Sequence, residues 1–212
     1  MSPRNALPLA ALCLLLAIVP GLLFAGERTP TALDRAAANA VEALSGGDRG
    51  LLTVQVLPSE PAVVVSAIAV IVLVALVRRR WDAAALAAAA PALAVTVNTW
   101  VLKPLFRRYY DDHLAYPSGH TVGLVSVLTV LTLLSRPGAV RLTVAGVSAV
   151  LTLLAGAGMI GLNYHYGTDI AGGAAYAIAL TAAVAAVVGR LLPRDGFGDR
   201  VPGQRGEPAD GA

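Results

Sequence analysis

Long apolar stretches alternate with short polar ones along most of this chain. Several of the apolar stretches approach or exceed the roughly 18 to 20 residues that a helix needs to cross a bilayer. Each is bounded by charged residues, proline or glycine, as the ends of membrane spans commonly are. The pattern predicts an all-α fold, a bundle of six transmembrane helices at residues 7–25, 59–77, 83–102, 119–135, 142–162 and 168–192.

The composition agrees with this class. Of the 212 residues, 57% are hydrophobic and 14% are charged, and the mean hydropathy is +0.70. Aromatic residues are few, whereas alanine and glycine are frequent, so the helices can pack closely through small side chains. The single cysteine, Cys13, excludes an internal disulfide and a multi-cysteine metal site. The chain is therefore expected to be an integral membrane protein with one transmembrane domain, residues 1–192.

The first apolar run has features of a secretory signal peptide, because Arg4 precedes it and Ala25-Gly26 follows it. The run is long for the apolar part of a signal peptide, and Leu23 fits the small-residue cleavage pattern poorly. We therefore interpret residues 7–25 as a transmembrane span.

Arginines near the span ends predict the orientation. They recur on alternate sides of successive spans, at Arg4, Arg78–Arg80, Arg136, Arg141, Arg190 and Arg194. The positive-inside rule assigns these ends, and with them both termini, to the cytoplasm. Residues 26–58, 103–118 and 163–167 then lie on the outer face of the plasma (inner) membrane.

Two segments outside the spans have patterns of their own. In the outer loop 26–58, apolar residues from Leu33 to Leu44 repeat at helical spacing, which indicates either a short helix on the membrane surface or an ordinary solvated connector. From Pro193 onward the chain is rich in glycine, proline and charge, so residues 193–212 are expected to form a disordered cytoplasmic tail.

The titratable residues of the outer face fall into two clusters. These are LKPLFRRYYDDHLAYPSGHT at residues 102–121 and GLNYHYGTDIAGG at residues 161–173, and together they contain all three histidines. They also contain Lys103, although every other basic side chain in the protein is an arginine. Charged and titratable groups at bilayer level are energetically costly, so the clustered ones are candidates for function.

The stretch Pro117-Ser118-Gly119-His120 opens the fourth predicted span. The first turn of a helix offers unpaired backbone N–H groups and the positive end of the helix dipole, which together favour an anion. Ser118 can cap the helix, and Gly119 lets a ligand approach the backbone closely. His120 then lies within reach of a bound anion as a proton donor. Alone, the motif is equally compatible with a capped helix start that has a histidine at the interface.

His165 and Asp169 are four residues apart in the second cluster, so on one helix they would share a face. A hydrogen bond to the carboxylate would fix the imidazole tautomer and raise the basicity of the ring, which could then act as a nucleophile. The pair is also compatible with a polar contact between helices. A zinc site could add only His120 and His113, at no known ligand spacing, and no metal is expected.

In their order, these motifs resemble the type 2 phosphatidate phosphatase family, integral membrane lipid phosphate phosphatases that are related to vanadium haloperoxidases. The family pattern runs Lys-x6-Arg-Pro, Pro-Ser-Gly-His and Ser-Arg-x5-His-x3-Asp. The resemblance covers about residues 60 to 190, through Lys103, residues 117–120, His165 and Asp169.

The chain departs from the family pattern in two places. Tyr110-Asp111 stands where the first motif ends in Arg-Pro, with Arg108 two residues earlier as the expected substitute. Gly158-Met159 stands where the third motif begins with Ser-Arg. Because a phosphoryl transition state needs several cationic donors, we hypothesise that the neighbouring Arg107 replaces the missing arginine, the alternative being that Arg107 only meets lipid head groups.

The resemblance implies a phosphatase that uses no metal or cofactor. By this resemblance His165 attacks phosphorus, Asp169 orients it, and His120 protonates the leaving group. The phosphoryl oxygens would be held by Lys103, Arg108, Ser118 and Gly119, with Arg107 as the proposed addition. His113 is interpreted as a solvated loop residue.

The expected substrate is a lipid phosphate or diphosphate in the outer leaflet. Polyprenyl phosphates and diphosphates such as undecaprenyl diphosphate, phosphatidate and phosphatidylglycerophosphate all fit, because their chains stay in the lipid while the head group reaches the interface. Apart from this substrate and the bilayer, no nucleic acid or protein partner is expected. The alternatives are a catalytically impaired protein that binds or transports lipid phosphates, and a structural or assembly protein of the membrane.

Overall fold

The computed structural model describes residues 3–192, and most of them are helical. The α-helices are α1 Pro3–Leu23, α2 Ala32–Ser45, α3 Arg49–Val56, α4 Pro61–Val77, α5 Trp81–Val97, α6 Lys103–Phe106, α7 Gly119–Leu134, α8 Ala139–Gly161 and α9 Gly167–Leu191. A 3₁₀ turn, Leu57–Ser59, joins α3 to α4, and a π-helical segment, Asn98–Leu102, joins α5 to α6. The short strands β1 Tyr109–Tyr110 and β2 His113–Leu114 pair antiparallel. The all-α class is thereby confirmed.

Four helical segments among the described residues are long and apolar enough to cross a membrane. They are Arg49–Val77, Trp81–Phe106, Ala139–Gly161 and Gly167–Leu191. Two further apolar helices, Ala10–Leu23 and Gly119–Leu134, are shorter. These segments indicate a membrane protein, while the count of six spans stays a prediction. The predicted tail, residues 193–212, lies outside the described residues.

Helix α9 lies at the centre of the bundle, against α1, α5 and α7. Close packing here depends on small residues. A Cβ atom at Gly173 would lie 2.9 Å from the backbone oxygen of Ser118, and one at Gly172 would overlap the ring of Tyr116. The absence of side chains at these two positions therefore lets the loop that precedes α7 rest directly on the first turns of α9.

Segment 26–58 contains two helices, α2 and α3. Thr31 and Asp34 form a capping box at the start of α2, and Gly46 ends the helix in the left-handed conformation. Of the two alternatives for residues 33–44, the structure has the helix, and Leu33 and Leu44 are exposed. Helix α3 packs against α8, where Leu52 is buried beside Gly158 and Gly161. The segment thus covers the end of the bundle at which α9 begins.

The orientation remains a prediction that labelling can test. Asp112 and Ala139 are both exposed, and they lie at opposite ends of α7 and its flanking loops. In a Cys13→Ala background, we expect Asp112→Cys to react with an impermeant thiol reagent applied to intact cells, and Ala139→Cys to react only after lysis. Labelling of Ala139→Cys alone in intact cells would reverse the proposed orientation and place the histidine cluster on the cytoplasmic face.

Candidate functional site

The two sequence clusters meet at one end of the bundle, at the head of a cavity of about 970 Å³. Four basic side chains line this end: Lys103, His113, His120 and His165. The remainder of the lining is mostly apolar and comes from α4, α5 and α7. The cavity therefore joins a polar head to an apolar groove that runs along the transmembrane helices.

The Pro-Ser-Gly-His stretch forms the start of α7. Ser118 is the N-cap residue, and its hydroxyl oxygen accepts hydrogen bonds from the Thr121 amide at 3.4 Å and the Thr121 hydroxyl at 3.1 Å. The Ser118 amide donates to the backbone oxygen of Asp169 at 3.1 Å. The side-chain amide of the buried Asn98 donates to the carbonyl oxygen of Pro117 at 3.3 Å. These contacts position the first-turn amides of Gly119 and His120, which have no acceptor within the helix.

The side chain of Ser118 faces away from the cavity. It is fully buried, and its hydroxyl donates to the sulfur of Met159 at 3.8 Å. Gly119 and His120, in contrast, line the cavity. The capping role expected for Ser118 is therefore present, and the groups available to an anion at this helix start are backbone amides.

The three histidines surround the head of the cavity. The ring centroids of His120 and His165 are 6.1 Å apart, and those of His113 and His165 are 5.9 Å apart. His113 is exposed, and its Nε2 lies 3.1 Å from the carbonyl oxygen of Tyr164. The expectation of a solvated loop residue describes its exposure but missed its position beside His165. Among residues 3–192, no three His, Cys, Asp or Glu side chains form a group that could hold a metal ion.

His165 precedes α9 and does not lie on it, because the helix starts at Gly167. Its Nδ1 is 3.9 Å from Oδ2 of Asp169, too far for a hydrogen bond. Oδ2 instead accepts the backbone N–H of Tyr166 at 3.0 Å as part of a capping box. The expected sharing of one helical face is therefore wrong in detail, although the fold still brings the imidazole and the carboxylate together. Catalytic hydrogen bonds are often long in the absence of substrate.

Burial gives the His165 ring its protonation state. The side chain is 6% exposed, and burial, reinforced by the positive charge of Lys103 and by the other two histidines, lowers the pKa of His165 to about 3. The imidazole is therefore uncharged at neutral and mildly acidic pH. An uncharged ring keeps the lone pair that nucleophilic attack requires.

Lys103 follows the π-helical segment and lines the cavity, and its ammonium donates to the carbonyl oxygen of Leu114. π-Helical segments inserted into α-helices occur frequently at functional sites. The ammonium keeps further N–H donors besides the one bonded to Leu114. Lys103 is thus a cationic donor at the polar head of the cavity.

Comparison with known proteins yields one match. The family model described as the PAP2 superfamily matches residues 96–192, a stretch that contains Lys103, the start of α7 and the His165–Asp169 pair. Residues 96–192 are thus similar to the PAP2 superfamily. Members of the superfamily are phosphatases, which supports activity on a phosphate-bearing substrate. No curated protein and no solved structure matches the chain significantly.

Arg108 occupies an unexpected place in this PAP2 region. It is fully buried and does not line the cavity. Its Nη1 donates to Oδ1 of Asp169 at 2.7 Å and to the hydroxyl of Thr168 at 2.5 Å, and its Nη2 donates to Oδ2 of Asp34 at 2.8 Å. The rings of Phe24 and Tyr166 lie against the guanidinium. Arg108 is therefore a partner of two carboxylates.

The departure from the PAP2 pattern at residues 158 and 159 has a packing explanation. A Cβ atom at Gly158 would lie 2.6 Å from the backbone oxygen of Leu52, so α3 takes the space that a serine would need. Met159 is 1% exposed and packs in an apolar cluster with Leu52 and Ile170. A charged side chain at position 159 would have to be buried among these groups.

Arg107 is exposed, has a left-handed backbone with φ of 50°, and does not line the cavity. The structure therefore lends no support to the hypothesis that Arg107 replaces the missing arginine. Sequence reasoning missed Asp34 altogether. The only signal for it was the Thr-x-x-Asp spacing of Thr31 and Asp34, which predicts a helix start but not a contact with Arg108.

Proposed function

We propose that this protein hydrolyses a lipid phosphate or diphosphate on the outer face of the plasma membrane, without a metal ion, through a phosphohistidine intermediate. The observation that carries the proposal is the cavity, where Lys103, His120 and His165 stand at the head of an apolar groove. A phosphate group fits the basic head, and a lipid chain fits the groove. Such a combination is expected of a site that draws its substrate from the bilayer.

In the proposed first step, the uncharged imidazole of His165 attacks phosphorus. A nitrogen–phosphorus bond forms, the bond from phosphorus to the leaving oxygen breaks, and His120 in its protonated form gives that oxygen a proton. Lys103 and the amides of Gly119 and His120 stabilise the negative charge on the phosphoryl oxygens. Asp169 stabilises the positive charge that His165 acquires.

In the second step, water attacks the phosphohistidine. His120, now neutral, accepts a proton from the water, the nitrogen–phosphorus bond breaks, and inorganic phosphate leaves. His165 and His120 are then ready for another substrate. The two histidines have different roles, because His165 is consumed and regenerated as a nucleophile, whereas His120 only transfers protons.

The groove favours a substrate with a long apolar chain. Val64 and Ile68 of α4 and Ala92 and Val95 of α5 all line it. Val65, also in the lining, is 63% exposed, so the groove is open to the surface of the bundle. Polyprenyl phosphates and diphosphates, phosphatidate and phosphatidylglycerophosphate remain the candidate substrates.

One observation favours a second candidate, a protein that binds or transports lipid phosphates and has little catalytic power. Met159 supplies no charge, Arg107 lies away from the cavity, and Arg108 is already paired with carboxylates. Lys103 is then the only lysine or arginine among the residues that line the cavity. A site with few cations can bind a phosphate while stabilising its transition state poorly.

Phosphate release from a panel of lipid phosphates and diphosphates, presented to the purified protein in detergent, tests the proposal. We expect hydrolysis that persists in excess chelator and that vanadate, as a phosphate mimic, blocks. A matched pair of groove variants tests the lipid assignment. Ala92→Phe should lower kcat/KM for long-chain substrates at least about tenfold. It should leave kcat/KM for a short soluble phosphate ester nearly unchanged, because the added ring fills the apolar groove and not the polar head of the cavity.

The control is Leu93→Phe, an exposed position of the same helix that does not line the groove. This variant should leave kcat/KM unchanged for both the long-chain and the short substrates. Equal losses in the two variants, or equal losses on long and short substrates, would count against the groove. Lipid-phosphate binding without phosphate release would favour the second candidate, and activity that chelation removes and magnesium restores would contradict the metal-independent reaction.

A further inference from the structure

Asp34 lies far from the catalytic motifs in sequence but is built into their support. Its side chain is 3% exposed and accepts five hydrogen bonds. Oδ2 accepts from the amide and hydroxyl of Thr31 at 2.9 and 2.8 Å and from Arg108 at 2.8 Å. Oδ1 accepts from the amide and hydroxyl of Thr168 at 2.9 and 2.8 Å. The carboxylate therefore fastens α2 to the start of α9.

Asp34 is charged in this position. Burial by itself raises the pKa of Asp34, but the hydrogen bonds from Thr168 and Thr31 outweigh it and hold the pKa below its ordinary value. Asp34, Arg108 and Asp169 thus form a chain of alternating charge, joined by ion pairs of 2.8 and 2.7 Å. We call these three residues the Asp-Arg-Asp chain.

The geometry of the Asp-Arg-Asp chain sets the position of the Asp169 carboxylate beside His165. Arg108 holds Oδ1 of Asp169, while Oδ2, the oxygen nearer His165, is 3.9 Å from Nδ1. Arg108 is in turn fixed between Asp169, Thr168 and Asp34. A shift of Asp34 would therefore move the guanidinium, and with it the carboxylate.

Charge gives Asp34 a second effect. Asp169 can stabilise positive charge on His165 only as far as its own charge is not cancelled, and Arg108 at 2.7 Å cancels much of it. Asp34 opposes the charge of Arg108 from the other side, so the buried chain keeps one net negative charge facing the imidazole. Without the charge of Asp34, the Asp-Arg-Asp chain would have no net charge.

We propose that Asp34 is a positioning residue for catalysis, which acts through Arg108 to keep Asp169 correctly placed beside His165 and to keep the buried Asp-Arg-Asp chain net negative. This inference rests on the proposed function, since it assumes that His165 becomes positively charged as it attacks phosphorus. It also assigns a role to α2, a helix outside residues 96–192 that match the PAP2 superfamily.

The test compares Asp34→Asn with the double variant Asp34→Asn/Arg108→Gln. Asp34→Asn should lower kcat on a lipid phosphate about ten- to a hundredfold while KM changes less than about threefold, because the interaction lost acts in the transition state. The double variant removes one charge of each sign and so restores the net charge of the Asp-Arg-Asp chain, while the glutamine amide can still donate a hydrogen bond to Oδ1 of Asp169. It should therefore be at least about threefold more active than Asp34→Asn.

The control is Asp48→Asn, which removes an exposed capping aspartate of α3 without touching Arg108. It should retain wild-type kinetics, and thermal unfolding in detergent should show that every variant is folded. A purely structural role for Asp34 predicts no kinetic recovery in the double variant, and that result would overturn the inference. An unchanged kcat in Asp34→Asn, measured beside an active wild type, would also overturn the inference. An inactive wild type would overturn the proposed function as well.

Discussion

His165→Gln is expected to abolish lipid phosphate hydrolysis, with turnover lowered by at least about 10³-fold. In the proposed reaction the imidazole forms the bond to phosphorus, and a glutamine amide at this position offers no comparable nucleophile. The substitution approximates the size and polarity of the histidine, which is 6% exposed, so the packing around it should persist.

Trapping of the intermediate makes this test specific. Wild-type protein quenched during turnover of a substrate with a radioactive phosphoryl group should carry label that survives base and is lost in acid, the behaviour of a phosphohistidine. His165→Gln should carry none, while its thermal unfolding in detergent stays close to that of the wild type. Labelled His165→Gln, or a fully active one, would show that the nucleophile lies elsewhere.

The second large effect is expected for His120→Gln, and its size should depend on the leaving group. For a lipid phosphate the departing alcohol needs a proton, and loss of a general acid typically lowers the rate about 10²- to 10⁴-fold. For p-nitrophenyl phosphate the departing phenolate is stable without a proton. Its kcat/KM, which reports formation of the intermediate, should therefore fall less than about tenfold.

The same variant should also slow the second step, because His120 accepts the proton of the attacking water. A rapid burst of p-nitrophenol followed by slow turnover is then expected, with phosphorylated protein accumulating. His165→Gln provides the contrast, since it should lose activity on both substrates and give no burst. Equal losses for both leaving groups in His120→Gln would contradict its role as the acid and would indicate that it holds the phosphate.

Hydrophobic patterning predicted most of the fold. Apolar runs long enough to cross a bilayer leave few alternatives to helices, since backbone groups in lipid must be hydrogen-bonded within their own segment. The predicted spans accordingly overlap α1, α4, α5, α7, α8 and α9. The helical spacing from Leu33 to Leu44 indicated α2 as one of two alternatives. Its docking was not predictable, because the contact between Asp34 and Arg108 joins residues 74 apart in sequence.

The candidate site, like the fold, was predictable from the sequence only in part. By itself, the sequence determined which chemical groups occur at one end of the helices. Lys103, the capped start of α7, His120, His165 and Asp169 are local motifs, and their chemistry follows from residue type and spacing. Only the tertiary structure decided which of these groups face the cavity. In the folded protein, Ser118 contacts Met159 and Arg108 pairs with Asp34 and Asp169. Arg107 does not line the cavity. Side-chain direction depends on packing between distant segments, and a buried cation must find carboxylate partners wherever the fold brings them.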